Sequence, residues 1–346
     1  MPCLDALRAI AAFAVIFNHI ELLKFQSNLP NRHSNHLYNT AGQIGVVLFF
    51  VISGYIITTL LLREYIKNST INVKHFFARR IFRILPLYYL ILIFSAFLLN
   101  FSPSIITIIL CFTFLSNIAG ALNMGWLSSP HVWSIGVEEQ FYICWPFVVK
   151  CFKKNLTSIC ISIFIIVTIA PHAIMYLLIK TNSSTKENFE FVFNFFFGAK
   201  YNCMALGAMV ACFQNNKNST ITHFFKKDIA LIFVLLPLIM YVFDFNFYYF
   251  TYDCYGIAFT LAIAHLSQRN YYVFNNKVTN FIGKISYGLY MYHWLVISLL
   301  VRYLFSYCTQ QPLLFTLTVF GITIILSAVS YFTYEKYFLN LKEKYS

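Results

Sequence analysis

The chain is 346 residues long, and 59% of it is hydrophobic while 25 Lys+Arg and 12 Asp+Glu make up only 11%, against about 25% charged in soluble domains. That composition, with a mean hydropathy of +0.68, excludes a soluble enzyme domain, a disordered tail and a fibre, and points to an all-α polytopic membrane protein. The formal charge of +13 is then read as basic cytoplasmic loops and not as a nucleic-acid surface.

Apolar blocks follow in chain order at 4–23, 42–62, 82–100, 105–122, 132–149, 157–179, 190–212, 228–246, 249–266, 283–304 and 313–334, most of them near the ~20 residues that cross ~30 Å of hydrocarbon. The first holds Asp5 and Arg8 and lacks a basic leader and a small-residue cleavage site, so it is predicted to be a retained helix and not a removable signal. The block at 105–122 is interrupted by Asn117 and Gly120 and followed by Asn123. If it spans like the others, with the N-terminus inside, only 11 of the 25 Lys and Arg face the cytoplasm; if it enters and leaves on the outer side, 19 do. The prediction is therefore about ten transmembrane helices plus one re-entrant segment near 105–122, with both termini cytoplasmic. Residues 1–346 are expected to form a single integral-membrane domain with no appended soluble domain. The nine cysteines form no C-x-x-C and lie mostly within apolar blocks, which makes them packing residues, with no metal site expected.

Ionisable residues inside such blocks are expensive and mark function by default. Arg8 and His19 lie eleven positions apart, ~20° beyond three turns and ~16 Å of rise, so they share one helix face. A snorkelling Arg with a packed His is the bland reading, and a functional pair the other. Arg79, Arg80 and Arg83 cluster at the cytoplasmic start of the third block. Anchoring alone puts cations there, but an all-Arg cluster also suits bidentate phosphate contacts. Glu138 and Glu139 point ~100° apart inside the fifth block, so at least one faces the protein interior, either as interhelical glue or as the carboxylate that orients an imidazole at the same depth. Ser286, Tyr290 and His293 follow i, i+4, i+7 spacing and form one polar stripe, either helix–helix glue or substrate contacts. Lys200 to Asn202 break the seventh block, and Glu335 with Lys336 is read as an interface anchor. Nucleophile-elbow, zincin, Walker A and Rossmann motifs are absent from the sequence.

Together these segments resemble the acyltransferase 3 family, membrane enzymes that O-acylate cell-surface polysaccharides, O-antigen acetylases among them. The resemblance runs from L-D-A-L-R-A with R-x10-H (Arg8 to His19), through G-V-V-L-F-F-V-I-S-G-Y-I-I at 45–57 and F-x-x-R-R-x-x-R-I-x-P at 76–86, to W-S-I-G-V-E-E-Q-F-Y at 133–142 and S-Y-G-L-Y-M-Y-H-W at 286–294. It implies a ten-span bundle in the bacterial inner membrane and acyl-CoA, usually acetyl-CoA, as cytoplasmic co-substrate, with no bound cofactor. The implied acceptor is a hydroxyl of O-antigen, capsule, exopolysaccharide, peptidoglycan or a lipid-linked sugar. By motif position it implies His19 as catalytic base, Glu138 as a catalytic carboxylate, and Arg8, Arg80 and Arg83 as donor-binding, with Arg79 beside them. Ala6 stands where the family usually has Gly, Lys200 where an Arg is common, and no Pro follows Glu335.

The expectation is acyl transfer in which donor phosphates dock on Arg79, Arg80, Arg83 and Arg8 and the thioester reaches His19, with Glu138 or Glu139 holding the imidazole. The alternative from another class is a transporter or flippase for an envelope solute, with the same charges lining a path. A repeat of the kind common in transporters is not visible in the sequence. A noncatalytic scaffold in envelope assembly is a third.

Overall fold

The computed structural model describes residues 3–99, 103–125, 128–181, 185–215 and 220–343. Among them every regular element is helical and none is a strand, as apolar blocks demand when each backbone N–H and C=O must be satisfied within its own segment. The principal helices are α1 (Leu4–Gln26), α2 (Ala41–Asn68), α3 (Val73–Leu98), α4 (Ile105–Phe112), α5 (Ser116–Ala121), α6 (Trp133–Phe152), α7 (Leu156–Lys180), α8 (Tyr201–Asn215), α9 (Ile232–Val242), α10 (Thr251–Leu266), α11 (Lys277–Lys284), α12 (Ser286–Tyr303) and α13 (Pro312–Ser330).

Among the described residues six helical stretches are long and apolar enough to cross a membrane: Leu4–Gln26, His36–Asn68, Val73–Leu98, Pro130–Lys180, Lys186–Asn215 and Pro312–Leu341. Their outer faces agree with a lipid surround. α7 exposes Ile161, Ile165, Ile166 and Ile169, and α13 exposes Leu314, Leu317 and Ile325; the shorter apolar helix α9 likewise exposes Leu235, Leu238 and Ile239. Apolar faces of that extent are rare on proteins that meet water.

The block at 105–122 is two short helices, α4 and α5, separated by Phe114 in a left-handed conformation at φ 61°. Neither is long enough to span. The third helix starts at Val73, earlier than the apolar block, so Arg79, Arg80 and Arg83 lie inside it and not at its first turn. The block at 190–212 breaks at Lys200, φ 45°, after a π-helical turn at Phe193–Phe197. The block at 283–304 breaks at Ile285, between α11 and α12.

The chain divides into two compact units. Met1–Val46, Lys74–Ser102 and Asn270–Ser346 form the first; Val47–Val73 and Pro103–Arg269 form the second. In the first, α1 buries Ala6, Ala9, Ala11 and Ala12, small side chains that let α12 and the start of α2 approach its backbone. In the second, α8 buries Ala205, Gly207, Ala208 and Ala211 against α7 and α10.

Candidate functional site

The first unit carries the Arg8 and His19 pair. α1 begins after Cys3, whose backbone is left-handed and whose side chain caps nothing. Asp5 supplies first-turn negative charge, which suits the helix dipole, and pairs with Arg8 one turn on, Oδ1 to Nη1 3.2 Å. Gly283 at the end of α11 packs directly on Asp5; a Cβ there would overlap the Asp5 backbone and side chain. Glycine at 283 is thus what lets α11 reach the first turn of α1.

Around that junction lies a cavity of about 900 Å³, within the size range of ligand sites. Arg8, Arg83, Lys277, Lys284 and Lys336 line it, against the carboxylates Asp5 and Glu335. The lysines are exposed at its rim, while Arg8, Arg83 and Glu335 are half-buried. Each comes from a different piece of local structure. Asn276 caps α11 by accepting from Val278 N–H and Thr279 N–H, which fixes Lys277 and Lys284 on one face two turns apart. The π-helical turn Tyr331–Glu335 that extends α13 sets Glu335, which accepts from Ser330 Oγ at 2.9 Å. α3 carries Pro86 in its interior and is braced there by Tyr287, whose hydroxyl donates to Ile84 O at 2.9 Å, and by Tyr334, which donates to Pro86 O at 3.1 Å.

The predicted arginine cluster is therefore divided. Arg83 and Arg8 line the cavity, whereas Arg80 lies 5.7 Å from the ring centre of Phe76 on its own helix, and Arg79 is not among the lining residues. Glu335 and Lys336, read from sequence as an interface anchor, are cavity residues, as are Lys277 and Lys284. Positive-inside anchoring explains a lysine at any helix end, so sequence pattern alone could not single these out.

Farther along α1, His19 meets α12. His19 Nδ1 and His293 Nε2 are 2.7 Å apart, with ring centroids 5.0 Å apart and planes only 5° from parallel. That centroid separation is the nitrogen–nitrogen distance plus two ring radii, so the bond lies in the plane of both imidazoles, along the lone pair. Trp294 packs edge-on to His19 at 5.1 Å, and Tyr290 lies 5.6 Å from His293. His293 is fully buried; His19 is half-buried. Of the predicted stripe, Ser286 is buried and donates to Gly283 O at 2.8 Å, closing the break between α11 and α12.

In the second unit Glu138 accepts from Ser53 Oγ and, at 2.6 Å, from the Tyr142 hydroxyl. Trp145 Nε1 donates to Thr58 Oγ1 at 2.8 Å, so α2 and α6 are joined by polar bonds through successive turns. The ring hydrogen bond of His19 runs to His293, and the Glu138 carboxylate is engaged by two hydroxyls. Glu139 is half-buried on the same helix. Gln140 donates to Phe114 O and Asn117 Oδ1, each at 2.8 Å, and accepts from Tyr201, which pins the broken α4–α5 segment. Lys200 is buried, with Nζ 4.5 Å from the Tyr252 ring centre.

Comparison with known proteins bears on this arrangement. A family model described as an acyltransferase domain, Acyl_transf_3, matches residues 1–332. A Staphylococcus aureus (strain MSSA476) protein provisionally named an O-acetyltransferase is 29% identical over 96% of this chain and 56% of its own length. The O-acetyltransferase OatA of Staphylococcus aureus (strain NCTC 8325) is 28% identical over 96% and 56%. The peptidoglycan O-acetyltransferase OatA of Listeria monocytogenes is 26% identical over 86% and 50%. The chain spans little more than half the length of these curated relatives. No solved structure matches it. With five separated motifs in order and a family model that covers nearly the whole chain, the protein belongs to the acyltransferase 3 family.

Proposed function

We propose that the protein is a membrane O-acyltransferase that moves an acyl group, acetyl by the names of its relatives, from cytoplasmic acyl-CoA to a hydroxyl of an envelope carbohydrate. The observation that carries this reading is the arrangement along α1: a basic cavity of about 900 Å³ around Arg8, and on the same helix face ~16 Å away an imidazole in a polar pair. A cavity with more cations than carboxylates suits a ligand with several phosphates. A pantetheine arm is of the length that would carry a thioester from there to His19.

In this reading Arg8 and Arg83 hold the donor phosphates and the rim lysines draw the anion in. Arg79 and Arg80 add positive charge on the same helix. His19 Nε2 takes the proton of the acceptor hydroxyl as its oxygen attacks the acyl carbonyl carbon. The C–S bond then breaks and the leaving thiolate takes that proton back from the imidazolium. The topology proposed with it has ten spans, a re-entrant α4–α5 segment and both termini in the cytoplasm of a cell whose inner membrane holds the protein. The acceptor then approaches His19 from the outer side. The relatives' names favour a peptidoglycan or similar glycan hydroxyl.

The test is transfer of radiolabel from acetyl-CoA to envelope glycan by membranes containing the protein. His19→Ala is expected to abolish transfer while leaving the amount of folded protein unchanged. Undiminished transfer by that variant, or label that never leaves acetyl-CoA in the parent, overturns the proposal.

A further inference from the structure

We propose that His293 is a positioning residue that fixes the proton of His19, accepting His19 Nδ1–H at its own Nε2 and so keeping the His19 Nε2 lone pair available for the acceptor hydroxyl. The inference rests on the reading of His19 as the base and gives His293 a task distinct from contact with substrate.

The pair bond of 2.7 Å needs one proton between two nitrogens, and its direction decides the chemistry. If His293 donates, neutral His19 carries its proton on Nε2 and has no lone pair to offer there. If His19 donates, His19 Nε2 is the base. Only the second arrangement is compatible with the reading of His19 as the base, and it places the His293 proton on Nδ1. A proton on His293 Nδ1 leaves Nε2 as the lone pair, which requires the hydrogen of the pair to sit on His19 Nδ1. His293 is fully buried, so water does not supply a competing proton.

The same geometry serves the charged state. Once His19 Nε2 has taken the hydroxyl proton, the imidazolium still donates from Nδ1 to a neutral acceptor in the ring plane, a charge-assisted bond stronger than the one it replaces. Trp294, edge-on at 5.1 Å, opposes a ring flip that would exchange Nδ1 and Nε2. A neutral imidazole in this place avoids leaving a carboxylate in an apolar interior through the half of the cycle when His19 is uncharged.

The experiment follows thiol release from acetyl-CoA by the full-length chain in membrane vesicles whose own envelope glycan supplies the acceptor, with thermal unfolding of each variant as the folding control. His293→Leu fills the volume without an acceptor and is expected to lower kcat about 100-fold while the KM for acetyl-CoA stays within about twofold. His293→Gln, whose amide oxygen accepts the Nδ1–H, is expected to hold kcat within about tenfold of the parent. A parental kcat in His293→Leu overturns the inference, and so does a His293→Gln chain as inactive as His293→Leu at equal thermal stability, because a packing role alone would then suffice. His19→Ala separates the two levels. If it is active, the base assignment fails and this inference with it; if it is inactive while His293→Leu is active, only this inference falls.

Discussion

Arg83 and Arg79 are four residues apart on α3, and sequence pattern treats them alike. The cavity separates them. Arg83 lines it beside Arg8 and Glu335, and Arg79 does not. A hydrogen bond to a charged partner contributes about 1.5–3 kcal/mol, so Arg83→Ala is expected to raise the KM for acetyl-CoA by about 10- to 100-fold, at a factor of ten per 1.4 kcal/mol. Arg79→Ala acts only through the general field and is expected to stay within about threefold, an effect that added salt screens. Donor titrations of the two variants check this; equal KM values would remove the cavity from donor binding. The residue scale also shows where sequence reading stops. The Arg8 to His19 relation was legible because both lie on one helix, whose period converts a spacing of eleven into a shared face. The His19 to His293 bond joins residues 274 positions apart, and helical periodicity carries no information about which helix will pack on which. The hydroxyls that Ser53 and Tyr142 present to Glu138 were equally hidden, because those donors are as ordinary in sequence as any buried Ser or Tyr.

At the scale of elements, α2 and α8 cross with almost no side chain between them. A Cβ on Gly54 would overlap the carbonyl of Met204, and a Cβ on Gly207 would overlap the carbonyl of Val51, so each glycine receives the backbone of the other helix. The crossing is reciprocal, and neither helix can accommodate a methyl group by moving a side chain. In membranes, where apolar burial gives helices little net attraction, such close backbone contact is a main source of association. Gly54→Ala and Gly207→Ala are each expected to destabilise the protein by about 1–3 kcal/mol or more, as overpacking of a tight core does. Thermal unfolding in detergent checks this, and an unchanged midpoint in either variant would show that the crossing has room. The breaks in helices divide in the same way between legible and hidden. Asn117, Gly120 and Asn123 argued against one continuous helix through the block, but the break itself falls earlier, at Phe114, and Asn117 and Gly120 lie inside α5. Lys200 to Asn202 announced the break that falls at Lys200. The break at Ile285 and the π-helical turn at Tyr331–Glu335 had weaker local signals, and they go with where Gly283 and Glu335 sit against their neighbours.

For the whole molecule, the proposed sidedness is an argument from charge. With the α4–α5 segment returning to the side it left, 19 of the 25 Lys and Arg fall on one side, the asymmetry that orients polytopic proteins. Two features of the fold bear on that proposal. Neither α4 nor α5 is long enough to span. The basic cavity gathers Lys277, Lys284 and Lys336, all three on the side counted as cytoplasmic, where acyl-CoA is found. In the proposed topology the loop after α1 lies on the opposite side, and it is structured by charge as well. Glu21 and Lys24 form a buried ion pair at 2.8 Å, and the second Glu21 oxygen accepts from Arg32 N–H at 2.6 Å, which ties the loop to the outer end of the helix. A chain stripped of its native cysteines therefore allows a direct reading of sidedness. Asn31→Cys is expected to react in intact cells with a maleimide that cannot cross the membrane, and Lys154→Cys, between α6 and α7, only after permeabilisation. Reaction of both from outside would mean that α4–α5 does not return to its starting side, would place α6 and every later helix in the opposite sense, and would move the lysines of the cavity away from the cytoplasmic donor they are proposed to bind.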